Sequence, residues 1–365
     1  MIKYYTRACN FYYGNISKEK IKNKSSLALN GSKLISFDSI EILTRKSKKK
    51  INIKDIKKLP LKLKKKVLND LNKITKVKKL SKIKLKNLPL LMGILNATPD
   101  SFSDGGKYLK SISAYKKIKK LSKDGADIID IGGESTRPNS DTVDKLIEWK
   151  RIKSKLKYAK KNKIIVSLDT RKSYILKKSL PFKINLLNDV SGLSHDDKMI
   201  NILKETKIPF ILHHMQGTPK TMQKNPKYKN VVLDIYDFFE KKLEFIRANK
   251  INHNNIILDP GIGFGKNLKH NITLLNQISI FHSLGFPVML GISKKRFIKD
   301  IAGNNDSKER TGGTISSSIH AMLQGVQILR VHDINEVKQA IKVFNKIIFN
   351  IWEKDISAQM ALEEQ

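Results

Sequence analysis

The chain has 365 residues, 40% of them hydrophobic, which allows one large domain with a smaller appendage. Its formal net charge is +39, yet only 9 of its 72 basic residues are arginine; lysines spread along the whole chain read as a solvated coat, not as a nucleic-acid reader, in which arginine forks should be better represented. The single cysteine, Cys9, excludes an intramolecular disulfide and cysteine-rich zinc sites and fits a reducing, cytoplasmic setting, and neither a membrane-spanning apolar run nor a signal-like N-terminus is present.

Residues 1–88 form a lysine-rich segment that reads as a small appendage. Strand-like pieces occur at Leu27–Leu34 and Ile40–Thr44. The stretch LPLKLKKKVLNDLNKI (59–74) spaces Leu61, Leu63, Val67, Leu68, Leu71 and Ile74 as a helix does. From residue 89 to 352 the pattern is regular. Short apolar runs at 90–96, 126–133, 164–170, 184–192, 209–215, 255–261, 287–293 and 326–333 alternate with helix-like, lysine-rich segments. The runs lack strict alternation, as strands buried on both faces do. Eight such repeats predict a (β/α)8 TIM barrel, and residues 353–365 a tail. An open doubly wound sheet fits the same alternation. The barrel is preferred because every run ends in polar residues, and only a barrel brings all eight ends to one face.

Those ends suggest chemistry. Asp169, Asn188 and Asp259 close three different strands. Buried carboxylates aimed into one pocket suit a flat heterocycle rich in N–H donors, since each accepts charge-assisted hydrogen bonds of about 1.5–3 kcal/mol. Lys295, Arg330 and His332, with Asn96, could hold a diphosphate and its Mg²⁺, an ion that takes only one or two protein oxygens. His332 taken alone reads equally well as a satisfied core histidine. The polar loops ATPDSFSDGG (97–106) and GESTRPNS (133–140) have the composition of lids. The GIGFGKN segment (261–267) is not a Walker A loop: its outer glycines are one residue too close, and Asn267 replaces Ser or Thr. His213 and His214 are neighbours on a strand, so their side chains take opposite faces.

The segments LMGILNATPDSFSDGG (91–106), DIIDIGGESTRP (127–138), SLDTRK (167–172), LLNDVSG (186–192), HMQGTPKTMQ (214–223), ILDPGIGFGK (257–266), GISKKRFI (291–298) and RVHD (330–333) resemble, in order, the signatures of the dihydropteroate synthase family. The resemblance implies a pterin-binding barrel, of a family that is a sulfonamide target, that condenses 6-hydroxymethyl-7,8-dihydropterin diphosphate with para-aminobenzoate, uses Mg²⁺ and works as a homodimer without specific nucleic acid or membrane. It implies that Asp169, Asn188, Asp259 and Lys295 bind the pterin, with Met215 and Phe264 packed near it. Asn96 (the metal ligand), Arg330 and His332 hold the diphosphate. Thr136, Arg137, Pro138 and Phe102 shape the para-aminobenzoate site, and Asp100 and Asp104 order the first loop.

Departures are few: Ala97 for a common Val, Lys294 for a frequent Arg, and Arg296 where many members carry Ser. The extension resembles that of some alphaproteobacterial members. A methyltetrahydrofolate-dependent methyltransferase shares the barrel and the Asp/Asn/Asp set, but its cobalamin partner does not suit the two loops. A catalytically inactive pterin-binding barrel should have eroded polar ends, which this chain keeps. RNA binding by the appendage lacks aromatic residues among its lysine runs.

Overall fold

The computed structural model describes residues 2–86, 88–97, 111–135, 140–303 and 305–349. The expectations for Asp100, Phe102, Asp104, Thr136, Arg137 and Pro138, and for the tail, fall outside these residues.

The extension is built around one long strand. Ser32–Leu43 (β3) pairs antiparallel with Tyr5–Tyr13 (β1) along one side, while Leu27–Leu29 (β2) and Lys48–Asn52 (β4) share the other. The predicted strand over 27–34 breaks at Asn30 and Gly31, both at positive φ, where the chain turns into β3. Such an Asn–Gly pair is the favoured tight hairpin turn. The predicted helix appears as Leu61–Thr75 (α2), with Pro60 before its first turn. It buries Val67, Leu71 and Ile74 but leaves Leu61 and Leu68 exposed, because only the i, i+4, i+7 row faces the sheet. Strands β1 and β4 and the helix Gly14–Lys22 (α1) went unread. In β4 the reason is visible: Lys48, Lys49 and Lys50 are exposed, so no apolar pattern marks the strand.

Beyond residue 89 the strands Leu90–Asn96 (β5), Ile128–Gly132 (β6), Val166–Asp169 (β7), Leu186–Asp189 (β8), Phe210–His213 (β9), Ile256–Asp259 (β10), Met289–Gly291 (β11) and Ile328–Val331 (β12) match the eight predicted runs. They pair in parallel in the order β10-β9-β8-β7-β6-β5-β12-β11, and a bridge between Leu258 and Val288 closes the ring. Helices surround it: Ser111–Asp124 (α3), Lys145–Lys161 (α4), Ser173–Ser179 (α5), Met199–Thr206 (α6), Val231–Ala248 (α7), Leu268–Asn276 (α8), Arg296–Ala302 (α9), Thr311–Leu323 (α10) and Ile334–Phe349 (α11). Among the described residues no helix is long and apolar enough to cross a membrane.

Side chains two apart on a strand share a face. Leu90, Met92, Ile128, Leu186, Ile211, Ile257, Met289 and Ile328 pack together as the barrel floor. Two residues further along β6, β8, β9, β10 and β12, the same inward parity falls on Asp130, Asn188, His213, Asp259 and Arg330. The strand period thus turns an apolar floor into a polar mouth.

The connection from α2 to β5 crosses the opposite end of the barrel. Its Ile83 is 3% exposed within the floor cluster, with Leu80 and Leu85 packed beside it. Lys86 pairs with Asp127, and the Ser81 N–H donates to Asn255 Oδ1, at the starts of two strands. The extension therefore stoppers the N-terminal mouth. Ile83→Ala is expected to lower the free energy of unfolding by about 2–5 kcal/mol, the range for a buried Ile truncated in a core that relaxes only partly. Denaturant unfolding measures this, and a change below about 0.5 kcal/mol would mean that Ile83 contributes little to the core.

Candidate active site

The C-terminal ends of the strands line up in register. Gly132 of β6 is level with Asp169 of β7, Asp169 with Asn188 of β8, and His213 of β9 with Asp259 of β10. Arg330 of β12 rises beside Gly291 of β11, which has no side chain to obstruct it.

Arg330 is the hub. Its Nε donates to Asp130 Oδ2 at 2.6 Å and its second arm to Asp169 Oδ2 at 2.9 Å. Asn188 Nδ2 also donates to Asp130 Oδ2, at 3.1 Å. One guanidinium thus faces two carboxylates. Burial, then the neighbouring Asp130 charge, push the Asp169 carboxyl well above its usual range, and Arg330 offsets only part of this. Burial works against the Arg330 charge, but Asp130 and Asp169 outweigh it and hold the group protonated. Asp130 Oδ1 and Asn188 Oδ1 are buried and accept no hydrogen bond from the described residues. Buried acceptors left open in this way call for N–H donors.

Asp259 stands across the mouth. Its Oδ1 accepts the Gly261 N–H at 2.8 Å, and its Oδ2 lies 4.0 Å from His213 Nε2. Burial raises its carboxyl pKa, against the lowering pull of that hydrogen bond and of Lys295. His213 Nδ1 lies 2.9 Å from Val190 O, which places its proton on Nδ1. Lys295 donates to Ile262 O, and its Nζ sits 4.2 Å from the centre of the Phe264 ring. Burial brings its pKa down to about 7. Gly263 is at φ +80°, and a Cβ there would meet Lys295 Cδ at 2.7 Å, so this turn requires glycine to let the lysine through. His332 is fixed by Ser293, whose Oγ lies 3.0 Å from Nδ1 and accepts the His332 N–H at 3.2 Å. Asn96 ends β5 half-buried, level with Gly132, and Met215 is half-buried just past β9.

The structure therefore brings Asp169, Asn188, Asp259, Lys295, Arg330, His332, Asn96, Phe264 and Met215 to one end of the barrel. Three further groups take no ligand role in the sequence reading, although Asp130 is among its polar strand ends. Asp130 joins Arg330 beneath the mouth; its inward parity with Ile128 was the available signal. Lys266 is buried, donating to Phe264 O at 2.8 Å with its Nζ 3.1 Å from His214 Nδ1. Burial lowers the pKa of both Lys266 and His214. This lysine turns into the protein, in keeping with the rejection of a phosphate loop; His213 meets Val190 and Asp259, whereas His214, just past β9, meets Phe238 and Lys266. Finally, Glu134, at the root of the second loop, binds Arg171 Nε at 3.0 Å and Lys172 Nζ at 3.0 Å, and Lys172 reaches on to Glu148 at 2.6 Å. Nothing in the sequence shows that these four charges meet.

A sequence profile described as "Pterin binding enzyme" matches residues 92–332. The dihydropteroate synthase of Neisseria meningitidis serogroup B is 39% identical over 268 residues, 72% of this chain and 94% of that protein. The crystal structure of Yersinia pestis dihydropteroate synthase in a sulfonamide drug complex superposes with a TM-score of 0.70 at 35% identity, covering 74% of this chain and 98% of that one. The Xanthomonas albilineans dihydropteroate synthase with 4-aminobenzoic acid gives 0.66 at 31% identity, covering 72% and 95%. The profile begins after the extension, so the extension's likeness to alphaproteobacterial members gains no support from it.

Proposed function

The chain belongs to the dihydropteroate synthases, pterin-binding transferases of folate biosynthesis, and from that premise we propose how its own residues divide the work. The reaction condenses 6-hydroxymethyl-7,8-dihydropterin diphosphate with para-aminobenzoate to give 7,8-dihydropteroate and pyrophosphate.

The carrying observation is the excess of buried acceptors over cations around Arg330. Asp169, Asn188 and Asp259 accept the pterin N–H groups, and Lys295 donates to its acceptor edge above Phe264, with Met215 packed near the ring. Arg330, His332 and Asn96 serve the diphosphate. Thr136, Arg137, Pro138 and Phe102 shape the arylamine site, and Asp100 and Asp104 order the first loop.

In the reaction the carbon–oxygen bond to the diphosphate breaks, the diphosphate keeps the electron pair, and the arylamine nitrogen bonds the methylene carbon and gives up a proton. Positive charge developing on the pterin methylene lies beside the Asp169 and Asp259 carboxylates, while Arg330 and His332 face the leaving anion. The arylamine is neutral near pH 7 and already nucleophilic, so charge stabilisation and positioning supply most of the rate.

Asn96 offers a single neutral oxygen, and among the described residues no group of three His, Cys, Asp or Glu could hold a metal. This donor set suits a Mg²⁺ that arrives on the diphosphate and takes most of its oxygens from phosphate and water. When bound, the ion neutralises part of the leaving charge. A homodimer fits the exposed Ile272, Val343 and Ile347 on α8 and α11, apolar surface that an assembly would cover.

Lys295 makes the reading testable by pH. Its free-state pKa of about 7 means that it is half neutral there, whereas an acceptor on the pterin holds it protonated. Affinity for a pterin without the diphosphate should therefore fall as pH rises above 7, by up to about tenfold per unit, with proton uptake on binding. At the acid end it should fall again as Asp169 and Asp259, both raised by burial, take protons. Calorimetry in buffers of different ionisation enthalpy measures both effects. An alkaline limb that persists in Lys295→Met would remove Lys295 from the pterin site.

A further inference from the structure

Besides closing the N-terminal mouth and packing on residues 278–284, the extension reaches the first turns of α7. Arg45, in the turn between β3 and β4, grips Asp234 Oδ1 with one arm and Asp237 Oδ2 with the other. Asp234 is in the first turn of α7, and its second oxygen accepts the backbone N–H groups of Lys229 at 2.9 Å and Asn230 at 3.2 Å. Arg45 therefore holds, through one carboxylate, the end of the connection that runs from β9 over the C-terminal face of the barrel to α7.

That connection is tied to the pterin side of the mouth. The Gln216 amide exchanges two hydrogen bonds with the Lys227 backbone, each 3.0 Å, which closes the connection on itself. Tyr228 Oη donates to Gly265 O at 2.8 Å and Gln223 Nε2 to Gly263 O at 2.7 Å. Gly263 and Gly265 flank Phe264, the ring under Lys295. From Arg45 to Lys295 the path is thus Asp234, the Lys229 and Asn230 amides, Tyr228, Gly265 and Phe264, each in contact with or adjacent in chain to the next.

We propose that Arg45 is a positioning residue for the pterin site: by fixing Asp234 it holds the 216–230 connection down on the Gly261–Lys266 turn, so that the extension tightens binding of the pterin substrate. This rests on the reading of Lys295 and Phe264 as pterin contacts. The pair is partly exposed, Arg45 at 39% and Asp234 at 26%, so its effect is modest. A second cation supplies an internal control. Lys3 binds Asp237 at 2.5 Å and also Glu240, on the same helix, but has no contact with Asp234. It secures the extension without reaching the connection.

The test is steady-state kinetics on the full chain carrying Arg45→Met, Arg45→Lys, Lys3→Met, Tyr228→Phe and the Arg45→Met/Tyr228→Phe pair. Arg45→Met should raise KM for the pterin diphosphate three- to tenfold, leaving kcat and KM for para-aminobenzoate within twofold, and Arg45→Lys should recover part of the loss. Lys3→Met should leave all three constants unchanged. The double variant should lose less than the product of the single losses, because both act on one path. Unchanged pterin KM in Arg45→Met, or an equal rise for both substrates, overturns the proposal and leaves Arg45 as a docking contact. Failure of the underlying reading looks different: Lys295→Met would then leave KM for the pterin diphosphate unchanged, whatever Arg45→Met does.

Discussion

Replacing Arg330 with Ala lowers kcat/KM by about 10²–10³, the scale of removing one preorganised donor, about 2.7–4 kcal/mol, from a developing anion. The change also disturbs the ground state. Asp130 is fully buried and Asp169 nearly so, and Arg330 is the cation that both of them bind. Stripping a buried ion group of one member typically costs about 3–5 kcal/mol of stability. The two losses can be separated. Adding Asp130→Asn removes one of the stranded charges and should restore much of the thermal stability of Arg330→Ala without restoring turnover. Near-normal turnover in Arg330→Ala would remove this side chain from the chemistry, and turnover regained together with stability would make it a structural ion pair.

Asp259→Asn separates the same quantities with opposite sign. Loss of one charge-assisted bond, about 1.5–3 kcal/mol, should weaken pterin binding by on the order of 10–10²-fold. Stability should not fall. Burial raises the Asp259 pKa in the folded protein above its unfolded value. Above that range the ionised carboxylate is therefore harder to hold folded than unfolded, and a neutral amide relieves the penalty. The stability difference should shrink as pH drops, since the carboxyl of the unaltered protein is then neutral in both states. Thermal melts across pH, beside pterin titrations, read both predictions. A variant that binds pterin normally, or that melts well below the unaltered protein at pH 7, contradicts them.

Much of the barrel was legible because parallel strands are short, apolar and separated by helix-length segments, and because their polar ends fall at a fixed parity. Asp169, Asn188, Asp259 and Arg330 could be picked out one by one. Their pairing could not: Arg330 lies 200 residues from Asp130 and 161 from Asp169 in sequence, and only ring closure brings them together. The extension was hardest to read. Leu80, Ile83 and Leu85 lie in a lysine-rich stretch whose apolar residues give no hint of the barrel floor they cover, and three of the five residues of β4 are lysine. Arg45 carries no sequence signal at all, since its partners Asp234 and Asp237 lie on a helix 189 and 192 residues away.

Transfer by this chain is measured as pyrophosphate release from the full chain supplied with 6-hydroxymethyl-7,8-dihydropterin diphosphate and Mg²⁺, with and without para-aminobenzoate. Release should depend on para-aminobenzoate and match, mole for mole, the dihydropteroate formed. Tight binding of the pterin with no release under either condition would contradict this and leave a barrel that binds pterin without transferring it.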